Sequence, residues 1–117
     1  MADLLRNARA LITTTAGAAV LNGEASKTYT ILSVSLCNLH TTADENFDMY
    51  CTTAGEGTPR YVYKQQSLPA LATFVHSDKI VLIASEELWI KSPSDPDDTL
   101  GIDVIVSYLV LDDYCPV

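Results

Sequence analysis

The feature that most constrains the fold is an alternation of apolar and polar residues with a period of two, broken at short intervals by turn residues. In the segment 28–37, Leu32, Val34 and Leu36 are apolar and serines stand between them, which predicts a strand with one face on a core. Further strand-like runs lie at 47–52, 61–63, 80–83, 88–90 and 102–111. Short strands with frequent turn signals predict an all-β fold, an antiparallel β-sandwich of jelly-roll-like type.

Turn residues and the N-terminal segment set the expected boundaries. Residues 55–59 (GEGTP) predict a hairpin-type loop, and residues 93–98 (PSDPDD) predict a polar loop before the last strand. Residues 1–26 are expected to form an extended arm with an edge strand, in which 4–10 could form a helical turn and 11–15 is β-prone. Residues 27–117 are expected to form the sandwich, so the 117 residues make one domain.

Charge and cysteine content exclude several classes of protein. Fifteen acids against seven bases give a net charge of −8, and the bases form no cluster. Such a surface repels phosphate backbones and anionic lipids, so neither nucleic acid nor a membrane is an expected partner. No apolar run approaches the roughly 20 residues that span a bilayer, and the first residues lack the layout of a signal peptide. The three cysteines are an odd number at unrelated spacings, which predicts free thiols in a cytoplasm rather than a disulfide framework.

The sequence offers no catalytic signature, and its candidate ligand groups are weak. Cys37 and His40 stand three residues apart at the end of a predicted strand, without further ligands at zinc-site spacing. The loop at 95–98 holds three aspartates that could take calcium, although it lacks the pattern of an EF-hand. Adjacent acids on a strand point to opposite faces, which makes joint acid/base catalysis by them unfavourable. These acid pairs are Asp44–Glu45, Glu86–Glu87 and Asp112–Asp113. We therefore predict no enzyme, no catalytic residue, no metal site and no cofactor.

The last predicted strand, residues 102–111, is apolar on both faces. Its even positions form one nearly unbroken apolar face, and Ile105, Leu109 and Leu111 are apolar on the other. Either the N-terminal arm covers this second face or it is a subunit interface, because large exposed apolar patches usually mark contact sites. We take Ile105, Leu109 and Leu111 as candidate interface residues. Arg6 and Arg9 of the arm are added as candidates for ion pairs with a neighbour.

Aromatic residues leave two alternatives open. They could form a platform on which sugars or bases stack, or they could fill the core or an interface, which is the commoner role of aromatic residues in strands. The second alternative is preferred here. The residues concerned are Tyr50, Tyr61, Tyr63, Trp89 and Tyr108.

Three stretches of the chain resemble small β-sandwich structural proteins of tailed bacteriophages. They are residues 27–38 (KTYTILSVSLCN), residues 68–90 with LPA, DKIVL and EELWI, and residues 102–109 (IDVIVSYL). The family often has Gly-Asp before the strand that begins here at Lys79, whereas this chain has Ser77-Asp78. The resemblance implies a component of the virion, made in the host cytoplasm. Its members serve as capsid decoration or cement proteins, or as neck and tail adaptors and fibre-base proteins.

The expected function is therefore contact rather than catalysis. We expect a capsid decoration protein that binds and stabilises the head shell, with the major capsid protein or other virion proteins as partners. The alternatives are a neck or tail adaptor, or a carbohydrate- or peptide-binding sandwich module. We also expect self-association into a trimer or another small ring, through the sheet that contains residues 102–111.

Overall fold

The computed structural model of the chain describes residues 4–13, 16–53, 58–83, 85–92 and 101–112. These residues form nine β-strands and no helix. The strands are β1 (Leu4–Ile12), β2 (Ala18–Asn22), β3 (Lys27–Asn38), β4 (Glu45–Thr53), β5 (Arg60–Leu68), β6 (Thr73–His76), β7 (Ile80–Leu82), β8 (Glu86–Lys91) and β9 (Ile102–Asp112).

The strands make two antiparallel sheets packed face to face, as the alternation predicts. The five-stranded sheet has the order β1-β9-β3-β6, and β7 pairs with the same edge of β3 as β6 does, farther along the strand. The four-stranded sheet has the order β2-β8-β4-β5. When β6 and β7 are taken as one interrupted strand, the path is that of a jelly roll, in which two Greek keys wrap into paired four-stranded sheets. The all-β sandwich prediction is confirmed.

The core lies between the sheets and is made by the inward positions of the strands. The even positions of β9 face inward, since Ile102, Val104 and Val106 are fully buried. Phe47 and Met49 of β4 meet them from the other sheet. In β3 the pairing register shifts between Ile31 and Ser33, so Ile31 is buried beside Val34 and Leu36 while Leu32 is only half-buried. Periodicity alone does not reveal such a bulge.

The N-terminal segment differs in part from the prediction. The expected helical turn at 4–10 is wrong, because these residues belong to β1, which pairs with β9 along its whole length. Pairing with β9 satisfies the backbone N–H and C=O groups of this segment, whereas a helical turn this short is not stable alone. Residues 18–22 form β2 at one edge of the other sheet. Residues 55–57 of the predicted hairpin loop and the whole aspartate loop at 95–98 lie outside the described residues. β4 and β5 pair with each other as the two strands of a hairpin do.

A buried polar network ties one end of the sandwich together. The Asn38 side chain is fully buried, and its Nδ2 donates hydrogen bonds to the carbonyl oxygens of Ala43 (2.9 Å) and Leu68 (3.0 Å). Its Oδ1 accepts a hydrogen bond from the backbone N–H of His40 at 3.0 Å. This side chain thereby replaces ladder hydrogen bonds where the chain leaves β3 and turns toward β4.

In the part of the chain that the structure describes, no helix is long and apolar enough to cross a membrane.

Candidate interaction surfaces

The outer face of the five-stranded sheet, called here the outer apolar face, presents side chains in rows across the strands. Residues that are paired in register lie on the same side of a sheet. One row is Leu5, Leu109, Thr30 and Val81, and another is Arg9, Ile105, Ser35 and Val75. A row of Asn7, Ser107 and Ser33 lies between them, and Leu11, Asp103, Cys37 and Thr73 form a further row.

Large apolar side chains are exposed on this face. Leu5 is 72% exposed and Ile105 is 44% exposed, while Leu11, Val75 and Val81 are each about half exposed. Among the described residues, eight large hydrophobic side chains are exposed, and five of them lie on the outer apolar face. Such a concentration on one sheet face is typical of a contact surface rather than of ordinary solvated surface.

The structure brings four of the five predicted interface residues to this face. Ile105 is exposed on this face beside Arg9, and Leu109 and Leu111 are half-buried outward positions of β9. Arg6 points the other way: it pairs with Tyr108 and lines a cleft with Glu24, Lys27 and Tyr29. Arg6 and Arg9 thus do not share a surface. Their assignment as contacts with a neighbour stays a prediction.

The described part of the N-terminal segment does not cover the second face of β9. β1 lies beside β9 as the edge strand of the same sheet, so its backbone extends the face laterally. For the described residues, the explanation that the N-terminal arm covers the second apolar face of β9 is therefore wrong. Ser107 lies in the middle of the face, whereas exposed Asp103 lies toward one end of β9.

Sequence reasoning missed four apolar members of this face: Leu5, Leu11, Val75 and Val81. In β1 the arginines interrupt the alternation, so its outward leucines do not stand out. β6 was not among the predicted strands. These side chains share one face only because strands that are distant in sequence pair in this register.

The outer face of the four-stranded sheet carries a different surface, an aromatic row of Trp89, Tyr50 and Tyr61 on the neighbouring strands β8, β4 and β5. The ring centroids of Tyr50 and Trp89 are 6.2 Å apart with planes 13° from parallel, and those of Tyr50 and Tyr61 are 5.4 Å apart. Tyr61 is 40% exposed, and the other two rings are half-buried.

Charged and polar groups surround the aromatic row. The Nζ of Lys64 lies 4.1 Å from the Tyr61 ring centroid, and that of Lys91 lies 5.7 Å from the Tyr50 centroid. Trp89 Nε1 donates a hydrogen bond to Glu87 Oε1 at 3.1 Å, and Thr52 Oγ1 contacts the same oxygen at 3.4 Å. Desolvation by burial, followed by the nearness of Tyr61, raises the pKa of the Tyr50 phenol above its ordinary value.

The other two aromatic candidates belong to the interior. Tyr63 packs edge-on against Phe47 and Phe74, and its hydroxyl lies 2.9 Å from His76 Nδ1. Tyr108 packs against the core and against Tyr29, with ring centroids 5.7 Å apart. The five aromatic residues are therefore divided: Tyr63 and Tyr108 pack against the core, as preferred, and the other three form a partly exposed row on the outer face of the four-stranded sheet.

The acidic candidates that the structure describes are engaged separately, and Asp113 and the side chain of Asp112 lie outside the described residues. Asp44 accepts a hydrogen bond from the backbone N–H of Ala70, and Glu86 accepts one from that of Ile83. Glu45 is buried, accepts a hydrogen bond from Ser92 Oγ at 3.2 Å and lies 3.7 Å from His40 Nε2. Because the carboxylate stands between serine and histidine, this is not the order of a hydrolase triad, in which the histidine is central.

Metal-binding chemistry is not assembled in the described residues. No group of three or more histidine, cysteine or acidic side chains is placed to hold a metal ion there. Cys37 lies in a row of the outer apolar face, whereas His40 is buried at the end of the sandwich. Cys37 and Cys51 are free thiols, and burial, with a smaller effect of Glu86, raises the pKa of the Cys51 thiol.

Comparisons with known proteins do not assign the chain. No protein-family model matches the sequence, and no curated protein matches it either.

Proposed function

We propose that this chain is a non-enzymatic structural protein of a bacteriophage virion, and that it decorates the capsid shell and stabilises it through sheet-face contacts. The observation that carries the contact function is the outer apolar face, with five large exposed apolar side chains on one side of one sheet. The virion as its location rests on the resemblance of residues 27–109 to phage β-sandwich proteins. The jelly roll is an architecture of capsid proteins, although one fold hosts many functions.

The free energy available at the outer apolar face suits an assembly contact. Complete burial of an exposed Leu, Ile or Val contributes about 1.5 to 3 kcal/mol. Since Ile105, Val75 and Val81 are about half exposed, each would contribute on the order of 1 kcal/mol on docking. Several such side chains in each subunit of a symmetric ring make a substantial favourable contribution to the free energy of association.

The polar groups of the outer apolar face are compatible with a second copy of the chain as partner. Arg9 and Asp103 carry opposite charges on the same face, so two copies can pair them across an interface. The central Asn7–Ser107 pair can exchange hydrogen bonds between copies. A surface with both signs of charge is self-complementary, as symmetric association requires.

Analytical ultracentrifugation of the wild type and of Ile105→Asp tests the contact. We expect a trimer or another small ring for the wild type and a folded monomer for the variant, because Arg9, its cross-strand neighbour, can pair with the new acid within one chain. Leu71→Asp is the matched control, since Leu71 is also exposed but lies in the turn between β5 and β6. A wild type that stays monomeric at high concentration would exclude self-association in solution.

The location on the particle needs a second experiment. Mass spectrometry of purified particles of the phage that encodes the chain should detect it, and added wild-type protein should rebind to capsids stripped of it. Ile105→Asp should rebind poorly, and Leu71→Asp should rebind like the wild type. Recovery in separated tails but not in heads would favour the neck or tail alternative. Absence from purified particles would refute the virion proposal.

A further inference from the structure

We infer that the aromatic row of Trp89, Tyr50 and Tyr61 is a binding surface for an uncharged glycan. This goes beyond the proposed function and rests on the opposite sheet, so either proposal can fail without the other. The three residues come from separate strands, yet the sheet register brings them together. The Tyr50 ring is stacked on Trp89 with centroids 6.2 Å apart, and it is tilted by 49° from the Tyr61 ring at 5.4 Å. They are partly exposed, whereas Phe47 of the same sheet is fully buried in the core.

The shape of the aromatic row suits sugar rings. A pyranose is an amphipathic disc, with C–H groups on its faces and hydroxyl groups around its rim. Aromatic rings bind such C–H faces, and the tyrosine and tryptophan side chains add polar tips. The strands hold all three side chains on a regular backbone, which limits the entropy lost on binding.

The polar surroundings supply both partners that a hydroxyl group needs. The Glu87 carboxylate is held beside the row by Trp89 Nε1 and Thr52 Oγ1, and it accepts hydrogen bonds. The ammonium groups of Lys64 and Lys91 lie over the tyrosine rings and can donate hydrogen bonds. A few polar groups that converge on an apolar surface are typical of a small-molecule site.

Charge and composition decide against other occupants. The chain carries a net charge of −8, which opposes binding of nucleic acid and of anionic polysaccharides. Within the row, two lysines are partly offset by Glu87, so the local field favours no strongly charged ligand. Lysine is depleted in the buried centres of protein interfaces, whereas two lysines contact these rings. An uncharged, hydroxyl-rich ligand fits both facts.

Fluorescence titration provides a direct test, because Trp89 is the single tryptophan of the chain. The probes are cellohexaose, maltohexaose, xylohexaose and mannohexaose, with a hyaluronan hexasaccharide as the anionic comparison. We expect a saturable change of Trp89 emission with at least one neutral hexasaccharide and none with hyaluronan. Tyr61→Ala should weaken that binding by roughly tenfold, and Tyr61→Phe, which keeps the ring, should bind like the wild type.

The controls separate this surface from the outer apolar face. Val81→Ala removes an exposed apolar side chain from the other sheet and should leave sugar binding unchanged. Circular dichroism should give wild-type spectra for all three variants, since both altered side chains are substantially exposed. Failure of every neutral hexasaccharide, binding of hyaluronan alone, or equal binding by Tyr61→Ala and wild type would each overturn the inference.

Discussion

Removal of the Asn38 side chain should be among the most destabilising single changes in this domain. Asn38→Ala deletes two donated hydrogen bonds and one accepted hydrogen bond, two of them fully buried. At about 1 kcal/mol net for each, the loss is about 3 kcal/mol, and the carbonyl of Leu68, left without its buried donor, adds to it. Because small domains have only about 5 to 15 kcal/mol of stability, this is a large fraction.

Urea and thermal denaturation followed by far-ultraviolet circular dichroism measure this loss. A 3 kcal/mol change corresponds to a fall of roughly 12 °C in Tm for a domain of this size. Asn46→Ala is the matched control, because Asn46 is exposed and its contact with Ser92 is made by its backbone carbonyl. If Asn38→Ala remained within about 1 kcal/mol of the wild type, the network would not hold this end of the sandwich as argued.

Three further changes probe other parts of the structure. In a chain whose other cysteines are replaced by serine, Cys51 should react slowly with iodoacetamide near neutral pH and faster in alkali, because burial raises the pKa of its thiol; rapid labelling near neutral pH would contradict this. Gly101→Ala should cost about 2 kcal/mol or more in urea denaturation, since φ is +85° and a Cβ would lie 2.4 Å from the carbonyl oxygen of Ile12; wild-type stability would refute the left-handed conformation. The pKa of the Tyr50 phenol is raised above 10.0, so the folded state holds this proton more tightly than the unfolded state. The resulting contribution to the free energy of unfolding is present below pH 10 and is lost as the pH rises through the raised pKa. Tyr50→Phe should therefore lose less stability in alkali than the wild type, and identical pH profiles would contradict this.

Local alternation was sufficient to predict the sheet class and much of the core. In β9 the buried side chains Ile102, Val104 and Val106 are the even positions that the pattern places inward. This works because side chains alternate across a strand whatever the strand pairs with. The same argument fails where pairing shifts, as at Ile31 and Ser33, because a bulge depends on the partner strand.

The sequence by itself also pointed to Ile105, Leu109 and Leu111, because one strand with two apolar faces is visible without its neighbours. Only the tertiary structure decided what lies beside them. Register with β1, β6 and β7 adds Leu5, Val75 and Val81 to the outer apolar face and turns Arg6 away from it. Register also places Trp89, Tyr50 and Tyr61 in one row on the other sheet, and leaves Tyr63 inside. Periodicity sets which side of its own strand a residue occupies, whereas pairing between strands distant in sequence sets which residues share a surface.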